Sequence, residues 1–154
     1  MSSLTIRIGL LSGLIAVVIT TLTNVVGRLI GLFPDPIDLK YMAEFMIDPA
    51  KAPALAFIAG VIVHIVAGTL IGALYLFLIK RPTILNGLLF TAVVWLGMML
   101  VLFPVTGRGF FGLNIGPIMI VATLILSIIY GVILGWCAHR LSEAPPAFRI
   151  GGLS

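Results

Sequence analysis

Four long apolar runs dominate this chain, and each has the length of a bilayer crossing. They cover roughly residues 8–32, 54–79, 83–103 and 115–138. A spanning helix needs about 20 mostly apolar residues. The runs are continuous and lack the in–out alternation of a barrel strand, so they are read as helices. Only 9% of the 154 residues are charged and 61% are hydrophobic, against about 25% charged in a soluble domain. Such a chain cannot cover its surface with polar groups, so its solvent is lipid. The expected fold is all-α: a four-helix transmembrane bundle filling residues 1–141, with a flexible tail, "SEAPPAFRIGGLS", at 142–154.

The first run has Arg7 in front of it but is too long for a signal h-region, and no A-x-A site follows. It is read as a retained helix. Four crossings place the N-terminus, the turn at Lys80-Arg81 and the C-terminus on one side. That side holds Arg7, Lys80, Arg81, Arg140 and Arg149 against Glu143. The other side holds Arg28, Lys40, Lys51 and Arg108 against Asp35, Asp38, Glu44 and Asp48. The basic pair in a very short turn points to both termini in the cytoplasm. The basic residues are scattered and make no patch for nucleic acid. Cys137 is the single cysteine, so no intrachain disulfide can form, and its apolar setting reads as packing.

The connections differ in kind. "KRPT" is tight and makes the second and third helices antiparallel neighbours. In the first connection, Asp35-Pro36 resembles an N-cap with proline at the first helical position, and Asp38 can complete a capping box. Leu39, Met42, Phe45 and Met46 then recur at helical spacing up to Asp48-Pro49. This predicts a short amphipathic helix at the outer interface, read as a lid over the bundle mouth ahead of a docking surface. In the third connection, "PVTGRGFFGLNIGP", the glycines permit unusual turns. Phe110 and Phe111 could anchor that loop at the headgroups or plug the bundle. Arg28 and Arg108 are expected to pair with acids of the first connection.

An internal repeat is legible. "HIVAGTLIG" (64–72) aligns with "SIIYGVILG" (127–135), placing His64 over Ser127, Gly68 over Gly131 and Gly72 over Gly135. "GLIAVVITTL" (13–22) aligns more weakly with "GLLFTAVVWL" (87–96). The chain therefore reads as two helical hairpins in parallel repeat, related by an axis along the membrane normal. Residues four apart share a helix face, and small residues there let backbones approach. The packing faces are Gly60, His64, Gly68 and Gly72 on the second helix, and Ser127, Gly131 and Gly135 on the fourth.

His64 is the ionisable group at membrane depth, where such groups raise a functional question. At about 1.5 Å per residue it lies about 22 Å from the cytoplasmic helix end, level with Thr20, Thr21, Ser127 and Met98. The plain reading is a neutral imidazole bonded to Thr21, Asn24 or Ser127. The sharper readings are haem ligation with Met98, Met99 or a second copy's His64, and a proton or quinone site. His139 lies about 20 Å away along the normal and cannot join. No C-x-x-C-H, H-E-x-x-H, G-x-S-x-G or Walker motif is present. Ser127 with His64 would lack a third residue to orient the base.

The stretch "NGLLFTAVVWLGMMLVLFPVTGRGFFG", followed by "GPIMIVATLILSIIYGVILG" and preceded by "HIVAGTLIG", resembles a family of small bacterial four-helix membrane proteins of unknown function. The resemblance implies the four-helix architecture and no defined activity. It also implies a histidine at the position of Ser127. This chain departs there, which argues against a site built on two repeat-related histidines. No cofactor is predicted; haem or quinone is the alternative held open at His64 and Met98. The expected function is that of a non-catalytic accessory subunit packed in lipid against other membrane subunits, as in a respiratory or photosynthetic assembly. The alternatives are a homo-oligomeric transporter or channel, and a redox subunit using His64.

Overall fold

The computed structural model describes residues 3–32 and 39–143, and no strand occurs among them. Four helices are long and apolar enough to cross a membrane: α1 (Ser3–Leu29), α2 (Pro53–Leu78), α3 (Ile84–Val105) and α4 (Ile118–Glu143). The all-α, four-span fold is as expected, with boundaries moved by a few residues. Helix α4 runs through Glu143, so the expected tail begins inside it; residues 144–154 lie outside the described residues.

Local chemistry sets the helix ends. At the end of α1, the Leu32 N–H donates to the Gly27 carbonyl (2.7 Å) and the Gly31 N–H to that of Arg28 (2.9 Å). Gly31 sits at φ +73° between them. This paired reversal uses glycine's access to left-handed backbone to close the last turn. Proline opens α2 at position 53, where its missing N–H has no helical acceptor to lose. Thr83 caps α3 through its hydroxyl, which accepts from the Asn86 N–H (3.1 Å).

Helix α3 contains an irregularity hidden by its apolar sequence. Residues Met98–Leu102 form a π-helical turn, with the Phe103 N–H reaching back to the Met98 carbonyl. Pro104 follows directly. Its ring crowds the carbonyl four residues earlier and it has no N–H to donate, so a wider turn relieves both problems. The expected span ended at Phe103 and missed that the helix runs through this proline.

The helices pack α1 on α2, α3 on α4, and α1 on α4. Ala16, Tyr75, Leu76, Leu134 and Ala138 form a shared core toward the end that carries the termini. The expectation that the tight turn makes α2 and α3 antiparallel neighbours holds near the turn and not along their length. Their rings touch near the turn, with Tyr75 and Phe90 centroids 5.3 Å apart. The Tyr75 hydroxyl also donates to the Thr83 carbonyl (3.1 Å). Beyond the turn each helix follows a different partner. A short turn fixes where two helices start, not the face each presents along its length.

The first connection is also corrected. Leu39–Ala43 is a 3-10 helix packed against α2, with Leu39 and Ala43 buried and Phe45 and Met46 exposed. The amphipathic run therefore covers one and a half turns, and the spacing of its apolar residues overstated its length. The Asp35, Pro36 and Asp38 capping pattern lies outside the described residues. Asp48 ends the connection by accepting from the Ala50 N–H at 2.9 Å.

Candidate functional site

The glycine faces meet inside the bundle. A methyl group added at Gly13 of α1 would lie 2.8 Å from the Thr69 carbonyl oxygen, 2.9 Å from that of Gly68 and 2.9 Å from the Gly72 Cα. One added at Gly87 of α3 would meet the Gly131 carbonyl oxygen, and would stand 2.9 Å from the Gly135 Cα. Gly68 and Gly72 correspond to Gly131 and Gly135, and Gly13 to Gly87, so equivalent atoms meet in both hairpins. The correspondence extends one turn further, where Gly68 faces Val17 and Gly131 faces the Thr91 hydroxyl. The aligned repeat is thus also a repeat of helix contacts. Gly60 of α2 is buried as well.

The hairpins are joined off the seams as well. The Tyr130 hydroxyl of α4 donates to the Gly68 carbonyl of α2 at 2.6 Å. No sequence pattern marks this bond, because Tyr130 has Ala67 as its counterpart in the first hairpin.

The other half of the bundle holds a methionine and aromatic cluster between α3 and α4. Met99, Phe103 and Met119 are buried there, with Trp95, Met98, Phe111 and Ile115 packed around them. The Trp95 indole N–H donates to the Thr123 hydroxyl (3.1 Å), which donates to the Met119 carbonyl (2.6 Å). Phe111 approaches Trp95 edge-on at 6.1 Å. Its backbone stands at φ +56°, a conformation bulky residues rarely adopt, so packing holds it there. The two phenylalanines divide the expected roles: Phe111 plugs the bundle and Phe110 is exposed.

A clasp closes this end. Arg108 in the third connection binds Glu44 in the first, Nη2 to Oε1 at 2.6 Å, as expected from the sequence. The arginine side chain is 17% exposed and that of the glutamate 34%. The guanidinium also lies 5.7 Å from the Phe103 ring centroid. Gly107, Gly109, Gly112 and Gly116 all adopt positive φ, folding the loop tightly over the cluster.

His64 lies outside these networks. It is partly exposed on α2 and has no hydrogen-bond partner among the described residues. The expected bond to Thr21 is absent, because that hydroxyl donates to the Val17 carbonyl of its own helix (2.7 Å). Thr20 does the same with Ala16 (2.8 Å). Ser127 has no hydrogen-bond partner among the described residues, so no serine–histidine pair forms. Met98 packs in the α3–α4 cluster, which does not include His64. Among the described residues no group of three His, Cys, Asp or Glu side chains is placed to hold a metal ion. Cys137 is free and buried.

The arrangement defines a class: a four-helix bundle of membrane-crossing length, built from two glycine-seamed hairpins and closed at one end by an arginine–glutamate clasp. Within that class, residues 4–148 match a family described as a family of unknown function (DUF6789), and the chain belongs to it. No curated protein and no solved structure matches the chain.

Proposed function

We propose that this protein works by packing in the membrane against another membrane protein, as an accessory subunit of a larger assembly. In this reading it sits in a bacterial inner membrane with both termini in the cytoplasm. The observation that carries the proposal is His64, partly exposed and without a hydrogen-bond partner among the described residues. An imidazole always has at least one N–H to donate. Lipid tails accept nothing, and an unmet polar group in an apolar medium costs on the order of 2–7 kcal/mol. A polar side chain on a neighbouring subunit removes that cost. Intramembrane ionisable residues mark such contacts or pathways.

The test is the state of the protein drawn from its native membrane in a mild detergent. The proposal expects a complex well above the 16.4 kDa of one chain, containing other polypeptides, and weakened by His64→Leu. Migration as a monomer, or as an assembly of this chain alone, would overturn it.

A further inference from the structure

At the end of the bundle that carries the termini, a groove of about 510 Å³ opens between helix ends. Its walls include Leu4, Thr5 and Ile8 of α1, Leu76 and Phe77 of α2, and Ser142 of α4. Lys80 and Pro82 of the turn complete it. The composition is mixed. Ile8, Leu76 and Phe77 line the part that continues along the helices, while Lys80, Thr5 and Ser142 stand beside Leu4, Ile79 and Pro82 at the helix ends. That is the level at which a spanning helix meets lipid headgroups. Arg7, Arg81 and Arg140 lie at this same end, with Glu143 the acid among the described residues there. Glu143 is itself 3.3 Å from His139. The groove therefore lies in a field that favours an anion.

We infer that this groove binds one anionic phospholipid, with Lys80 on the phosphate and an acyl chain against Ile8 and Phe77. A mixed apolar and cationic groove at the interface matches both parts of such a molecule. A soluble phosphate compound would satisfy only the lysine. Basic sites between helices at a membrane face hold lipid headgroups by the same combination of local charge and apolar contact.

The experiment reconstitutes the full chain in nanodiscs of phosphatidylcholine with phosphatidylglycerol. It then counts the phosphatidylglycerol retained per protein through stepwise delipidation, by native mass spectrometry. The wild type is expected to keep one molecule preferentially. Lys80→Gln is expected to lower that retention about five-fold, and Ile8→Trp, which fills the part where the acyl chain lies without touching the charge, to lower it as well. Arg7→Gln removes a charge from the same face without removing a wall of the groove and is expected to lower retention far less than Lys80→Gln. Equal loss in the Arg7 and Lys80 variants would mean diffuse attraction to the membrane face and would overturn the site. Displacement of the lipid by millimolar glycerol phosphate would also overturn it, by showing a phosphate site with no acyl contribution.

Discussion

The glycine seams allow a sharp prediction about stability. At Gly13 a Cβ would stand 2.8–2.9 Å from three backbone atoms of α2, whereas ordinary contacts begin near 3.4 Å. Backbone cannot rotate away as a side chain can, so Gly13→Ala must push α1 and α2 apart by about half an ångström. The seam then loses close packing along its length, since association in lipid rests on that contact. Overpacking of this kind costs about 1–3 kcal/mol, partly offset by alanine's higher helix propensity, at most about 1 kcal/mol. A net loss of about 1–2 kcal/mol is expected. Gly97→Ala is the control: it lies in α3, and its added methyl would have no neighbour within 4 Å. It should be neutral or slightly stabilising. The assay is reversible unfolding of the purified chain in mixed micelles, titrated with SDS and followed by far-UV circular dichroism. Equal midpoints for the Gly13 and Gly97 variants would refute the close-contact argument.

Other expectations follow from the same geometry. Gly87→Ala should destabilise in the same assay and the same direction as Gly13→Ala, because it opens the equivalent seam between α3 and α4. Arg108→Gln and Glu44→Gln should each cost about 1 kcal/mol, and a double-mutant cycle should show them coupled, less so at high salt. Trp95→Phe removes the indole bond to Thr123; about 1 kcal/mol of stability should go with it, measured by the same titration. His64→Leu should leave the isolated bundle as stable as the wild type or more so, since no internal hydrogen bond is lost.

The parts of the fold that were legible in the sequence depend on local pattern. Four apolar runs of crossing length specify four helices, and glycines four apart specify faces where backbones meet. The repeat was legible because both hairpins use the same residues for the same close approach: Gly13 with Gly68 and Gly72, and Gly87 with Gly131 and Gly135. The salt bridge of Arg108 followed from charge balance on one side of the membrane. What escaped the reading depends on orientation or distance. Matching depth placed Thr21 beside His64, but a threonine hydroxyl in a helix reaches its own carbonyl four residues back more readily than a neighbour. The turn at Lys80-Arg81 constrained the ends of α2 and α3 and left their partners open. Pro104 was a visible signal for the π-turn at Met98–Leu102, obscured by reading the proline as a helix stop. The pairing of Trp95 with Thr123, and of Tyr130 with the Gly68 carbonyl, rests on long-range packing with no pattern along the chain.

The central claim is that the His64 side chain of α2 meets another protein within the lipid. A photo-reactive amino acid placed at Val61, one turn from an intact His64 and partly exposed, tests it in native membranes, with the same probe at Leu89, an exposed residue of α3, as reference. Illumination should yield a discrete adduct to a second polypeptide from position 61, and mass spectrometry should place the linked peptide in a membrane span of that partner. Adducts to lipid alone from both positions would contradict the account.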